Sequence, residues 1–261
     1  MISRNLDRLL GRRPDDRDLE AEHTPHGVRE RLAGDPRTSN LRDFVYGAID
    51  GTVTTFAVVA GAAGADLGAA VVIILGVSNL FADGFSMAVS NYLGSRAEQD
   101  RQEQARREER RQIRLVPAGE REEIRQLFRA KGFEGEDLER AVEVITSDED
   151  RWVEMMMNEE LGFAPVEHSP ARAGLATFVA FIVVGTIPLI SYLVNLAFPD
   201  TISEPFLVSI VLTGLAFLLV GALKSAVVGQ RVLRGSMETV VLGAIAAGLA
   251  FVVGRLLEGV V

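Results

Sequence analysis

The sequence predicts an all-α membrane protein: five transmembrane helices, with a cytoplasmic helical metal-binding insert between helices 2 and 3. Three observations carry this. Apolar and charged residues fall in separate blocks along the chain. Five apolar blocks are each long enough to cross a hydrocarbon core, which takes ~20 helical residues for ~30 Å. Between the second and third of them lies a highly charged block whose few apolar residues recur at helical spacing. The chain is 48% hydrophobic with a formal net charge of −9, a balance that argues against a nucleic-acid partner. It has no cysteine, which removes disulfides and thiolate metal sites.

Residues 1–40 are rich in Arg, Asp, Glu and Pro, lack the apolar core of a secretory signal, and read as a solvated cytoplasmic tail. His23 and His26 flank Thr24-Pro25, and Pro25 works against a helix that would align them as metal ligands. Residues 41–94 hold the first two membrane runs. Each carries a carboxylate well inside it, Asp50 and Asp83. A carboxylate at the centre of a membrane helix costs about 2.5–3.5 kcal/mol on insertion scales, so its default reading is a functional site. The alternative is a buried polar group hydrogen-bonded to a neighbouring helix. Along the second run Asn79, Asp83, Met87 and Asn91 recur every four residues and share a face. Oxygen donors with one thioether suit a borderline divalent transition metal better than Mg²⁺ or Ca²⁺. Gly47 and Gly51 form a small-xxx-small pair beside Asp50, and with Gly84 they predict a face that meets protein. That face is expected to meet the first run of a second subunit in a homodimer.

Residues 95–169 are the insert. Residues 98–114 are dense in Glu, Gln and Arg; residues 116–119 break them; residues 120–131 form an amphipathic helix ending at Gly132. Gly135 opens a helix bearing Leu138, Val142 and Ile145, and a last helix of about 148–161 ends at Gly162. That helix places Met156 and Met157 on the face of Glu160. Thioethers plus carboxylates repeat the donor set of the membrane runs. Arg106, Arg107, Arg110 and Arg111 offer the plainer alternative that the acids belong to a solvated, ion-paired face, and core filling is the plainer role of the methionines.

Residues 170–261 supply the last three runs: 173–198, kinked by Pro188; 206–228; and 240–257. Arg29, Arg31, Arg37 and Arg42 precede the first run, Arg96, Arg101 and Arg106 open the insert, and Arg231 and Arg234 join the fourth and fifth runs. The loops around Gly64 and Pro199-Asp200 contain no Lys or Arg. By the positive-inside rule, the tail and insert face the cytoplasm and the C-terminus lies across the membrane.

Gly47-Ala-Ile-Asp-Gly-Thr-Val-Thr-Thr and Asn79-Leu-Phe-Ala-Asp-Gly-Phe-Ser-Met-Ala resemble the first two membrane helices of the vacuolar iron transporter family, and the similarity extends over roughly residues 41–260. The resemblance implies a transporter rather than an enzyme. It would export cytosolic Fe²⁺ and also Mn²⁺ in exchange for protons, with Co²⁺ and Zn²⁺ as further candidates and no tightly bound cofactor. It implies a homodimer with its pathway between the two first helices, at Asp50 and Met87 with Asp83 and Asn79 alongside. Carried over by position, the insert ligands fall on Glu109, Glu120, Glu123, Met156, Met157 and Glu160, with Gln112 where a further glutamate is usual. Ile49 stands where many members have Asn. The expected setting is a bacterial cell (inner) membrane. Two other classes stay in view: a membrane-anchored ferritin-like iron oxidase, and a metal sensor that binds without transport. Carboxylate-bridged di-iron bundles use Glu-x-x-His pairs, and residues 96–165 contain no histidine.

Overall fold

The computed structural model describes residues 20, 23–32, 37–164 and 169–259. Among them the elements run, in order, α1 (Pro25–Leu32), α2 (Arg37–Gly64), α3 (Ala69–Leu115), α4 (Pro117–Ala130), α5 (Gly135–Thr146), α6 (Glu149–Glu159), α7 (Pro170–Gly185), a 3₁₀ turn (Ile187–Leu189), α8 (Ile190–Ala197), α9 (Pro205–Val228) and α10 (Val232–Leu257). The described residues contain no strand. Five helical stretches are long and apolar enough to cross a membrane, as expected for an integral membrane protein. Most of the tail expected over 1–40 lies outside the described residues. Within it, Pro25 opens α1 instead of blocking it, with the Gly27 N–H donating to Thr24 Oγ1 at 3.2 Å. His23 therefore precedes the helix that carries His26.

The chain divides into two compact units, one of Met1–Tyr92 with His168–Val261, the other of Leu93–Glu167. In the first, Val59, Val72, Phe181, Leu189 and Phe217 join α2, α3, the 3₁₀ turn, α7 and α9 in one apolar core. Pro188 breaks the third run into α7, the 3₁₀ turn and α8. The broken backbone is held from α9: Ser209 Oγ donates to the Pro188 carbonyl at 2.6 Å, and Ser191 Oγ to that of Pro205 at 2.7 Å. Asn195 ties down the next loop, donating to the Ile202 carbonyl at 2.7 Å and accepting from its N–H at 2.8 Å.

One expectation is overturned here. The Gly47/Gly51 face of α2 packs against the chain's own α7, not a second subunit. A Cβ on Gly47 would lie 2.4 Å from the Thr177 carbonyl oxygen, and one on Gly51 2.6 Å from that of Phe181. Gly84 of α3 faces the Phe181 ring, at 3.0 Å from an added Cβ. Small residues dictate close approach of two helices, but the spacing alone does not say which helix approaches.

In the second unit, the polar end of α3 continues without a break at Gly94. Ion pairs within α3 support it, including Arg96–Asp100 at 3.2 Å and Arg111–Glu108 at 2.9 Å. Pro117 begins α4 at a position where its missing N–H is no loss. Asp148 caps α6 by accepting from the Arg151 N–H at 2.8 Å. Gly132 and Gly162 end helices at φ +90° and +66°, a region L-residues avoid. Ile113, Ile124, Leu138, Val142, Trp152 and Val153 form the core, together with Met156 and Met157.

Candidate functional site

In the membrane unit, α2, α3 and α7 form an open cavity of about 520 Å³ lined by Arg42, Asp43, Tyr46, Ile49, Asp50, Met87, Ser90, Asn91 and Thr177. It brings together Asp50 and Met87, the two residues placed at mid-membrane by the sequence. Both are half-buried. Asp83 lies near enough to Asp50 for their charges to interact, but does not line the cavity. Asn79 is about two turns from Met87 along α3, and its Nδ2 is buried with no hydrogen-bond partner.

Asp43 is the residue that sequence reasoning passed over. It is 6% exposed and lines the cavity. Asn91 Nδ2 donates to Asp43 Oδ1 at 3.2 Å and to Thr177 Oγ1 at 2.8 Å, while Asp43 Oδ2 is buried without a partner. The available signal was its position two helical turns before Asp50, on the same face of α2. At the edge of the apolar run, beside Arg42, it does not stand out from its neighbours as Asp50 does.

In the second unit, four arginines and a lysine pair with acids elsewhere in the unit. Arg106 pairs with Glu154 at 2.6 Å, Arg110 with Asp150 at 2.8 Å, Arg114 with Glu149 at 2.9 Å, Arg125 with Glu139 at 2.7 Å and Lys131 with Glu159 at 2.6 Å. Among the described residues, no ion pair uses Glu109, Glu120, Glu123 or Glu160. Glu109 and Glu120 are buried, each with an Oε2 that has no partner. Burial, then the charges of Glu160, Glu120 and Glu123, push the Glu109 carboxyl up to about 7. Glu120 is raised by burial and by Glu123 and Glu160, and Glu160 by burial and Glu123. These four carboxylates therefore share one electrostatic neighbourhood. Glu123, like Glu160, is exposed, and Gln112 is half-buried. No three His, Cys, Asp or Glu among the described residues stand in metal-holding geometry. Met156 and Met157 are 0% and 1% exposed and sit in the apolar core.

This arrangement fixes a pH dependence. A group raised in the folded state stabilises folding when protonated. Its contribution is complete below the usual carboxylate range and is lost as pH rises through about 7. Glu98, Glu122, Glu139 and Glu154, each held low chiefly by an arginine hydrogen bond, act with the opposite sign, but only as pH falls below that range. Between pH 5 and 8 the first group governs. Trp152, the only tryptophan in the chain, is buried in this unit, so its fluorescence reports the unit's melting. The metal-free melting temperature followed this way is expected to fall by a few degrees from pH 5 to pH 8. A flat or rising profile would refute the clustering of these acids.

A family model described as the VIT family matches residues 41–255. The chain is 34% identical to a vacuolar iron transporter of Plasmodium berghei (strain Anka) over 225 residues, covering 84% of this chain and 82% of the relative. It is 32% identical to a vacuolar iron transporter of Toxoplasma gondii (strain ATCC 50861 / VEG) over 260 residues, 94% of this chain and 86% of the relative. With vacuolar iron transporter 1 of Arabidopsis thaliana it shares 28% identity over 221 residues, 84% of this chain and 86% of the relative.

Proposed function

This chain belongs to the VIT family, and from that premise we propose that it moves cytosolic Fe²⁺, with Mn²⁺ as a second substrate, across a membrane in exchange for protons. The observation that carries the reading is the cavity holding Asp50 and Met87 within the apolar run of α2 and α3. Carboxylate and thioether together suit a borderline divalent ion. A carboxylate that ligates metal must lose its proton, which supplies a direct basis for exchanging one for the other. Asp83 and Asn79 continue the polar face along α3. The positive-inside distribution supports an orientation with the insert on the cytosolic side, in what we take to be a bacterial inner membrane.

The insert is proposed to collect ions for the pathway through Glu109, Glu120, Glu123 and Glu160, with Gln112, Met156 and Met157 as neutral neighbours. Its support is that Glu109 and Glu120 are buried without an ion pair among the described residues and lie within reach of the charges of Glu123 and Glu160. Replacing Glu120, Glu123 and Glu160 together with Gln is expected to weaken metal binding by more than about tenfold, with the Trp152 melting transition retained. Calorimetry on the full chain checks this; unchanged affinity and stoichiometry would return these acids to a solvated face.

Transport itself is tested by Fe²⁺ and Mn²⁺ uptake into liposomes holding the purified protein, with and without a pH gradient. Binding without flux would leave a sensor.

A homodimer completes the reading, through a different face of α2 from the glycines. Tyr46, Ile49, Asp50, Val53, Thr54 and Ala57 form a stripe that stays open or half-open. A stripe bearing Asp50 is costly against lipid, and a second copy would cover it. Cysteine at Val53 or Ala57 of the cysteine-free chain is expected to crosslink between subunits, whereas cysteine at Gly47 should not. Absence of crosslinks at both stripe positions, with monomeric mass in nanodiscs, would exclude this dimer.

A further inference from the structure

We propose that Arg42 determines ion specificity by acting as a tethered cation that competes with the substrate for the acidic cavity; this rests on the transport reading above. Arg42 is not merely a charge at the end of an apolar run, because it lines the same cavity as Asp43, Asp50 and Met87. Its side chain makes no ion pair among the described residues; its guanidinium carbon lies 5.9 Å from the centroid of the exposed Tyr46 ring. A single cation–π contact is a weaker hold than an ion pair with a carboxylate. In the same cavity Asp43 Oδ2 is buried and lacks a partner. Arg42 thus shares the cavity with one ring that holds it weakly and with two carboxylates that make no ion pair among the described residues.

An ion entering the cavity must displace or outlast that guanidinium. A divalent cation binds carboxylates strongly enough to do so. A monovalent cation carries half the charge and does not, so Arg42 keeps Na⁺ and K⁺ out at the cost of a higher KM for the divalent substrate. The lysine equivalent would keep the effect, because the charge matters more than the fork of donors. Losing the Tyr46 ring would strengthen it, because Arg42 would then spend more time on the acids.

The test uses the full-length protein in liposomes, with Mn²⁺ as probe. Arg42→Gln is expected to lower the Mn²⁺ KM by roughly tenfold at low ionic strength, with the difference shrinking at high salt, and to make Mn²⁺ uptake inhibitable by K⁺. Arg42→Lys should remain close to wild type in both readouts, and Tyr46→Leu should raise KM. An unchanged or higher KM in Arg42→Gln, or no gain in K⁺ inhibition, overturns the proposal. A parallel arm measures Mn²⁺ binding in detergent on a Glu120→Gln/Glu123→Gln/Glu160→Gln background, which silences the insert. If wild type shows no flux, the transport reading fails, and this arm still decides Arg42: tighter Mn²⁺ binding in Arg42→Gln supports the competition, and equal binding rejects it.

Discussion

Asp50→Ala should abolish metal flux while leaving a folded, membrane-inserted protein. Asp50 is half-buried, lines the cavity with Met87, and makes no side-chain hydrogen bond or ion pair among the described residues. The Thr54 hydroxyl donates to its backbone carbonyl at 2.9 Å, not to its carboxylate. Removing the carboxylate therefore breaks no structural contact, and it relieves the cost of a charge at membrane depth. The expected signature is a stable variant without transport. Altering an outer-shell partner of a metal typically costs about 10–100-fold, and a direct ligand should cost more. Asp50→Asn keeps the volume and one oxygen but loses the charge, and should fail nearly as completely. Met87→Ala should lose flux as well, but retain more than Asp50→Ala because a thioether carries no charge. Flux is read in liposomes and folding by size-exclusion profile. Wild-type uptake by Asp50→Ala would remove this residue from the pathway.

The second large effect is structural. Gly51→Val should prevent the membrane unit from assembling. A Cβ at Gly51 would lie 2.6 Å from the Phe181 carbonyl and 2.9 Å from its Cα, while a Cβ on Gly185 of the opposing helix would meet the Gly51 carbonyl at 2.8 Å. Both neighbours are helix backbone, which cannot rotate away as a side chain can. Overpacking a well-filled core usually costs about 1–3 kcal/mol. Here α2 and α7 must separate along the contact that also forms one wall of the cavity. The expected result is loss of the monodisperse peak for Gly51→Val, and a lowered melting temperature for Gly51→Ala. Gly214→Ala and Gly248→Ala are the controls, since a Cβ at either meets nothing within 4 Å. A normally folded Gly51→Val would show that the helices are not in contact there.

Much of this was legible in the sequence because membrane burial writes long signals. The five apolar runs, the break at Pro188 and the amphipathic insert helices each follow from composition or a single strong residue. Asp50 and Met87 were legible because polar groups in an apolar run stand out. Asp43 was not, since at the edge of the run its charge has an ordinary interfacial explanation, and only the fold shows it buried beneath Asn91. The continuity of α3 through Gly94 was hidden because a change from apolar to charged residues reads as a boundary, whereas its backbone hydrogen bonds are indifferent to that change. The partner of the glycine face was hidden for a third reason: spacing encodes closeness, and the identity of the neighbour is a property of the whole fold. The gathering of Glu109, Glu120, Glu123 and Glu160 depended on how separate helices of the insert pack, and no local pattern specifies that.

The clamp at Pro188 has a mechanical meaning. A proline break in a membrane helix is commonly a soft joint, because the missing hydrogen bond lets the two halves swing. In this chain the joint is pinned. Ser209 and Ser191, both fully buried, bolt the break to the start of α9 at 2.6 and 2.7 Å, where a low dielectric strengthens each bond. Bending there would strand polar groups in an apolar interior. The segments α7, α8 and α9 are therefore tied into one stiff strut, and a displacement of the cavity wall that α7 forms would carry all three together.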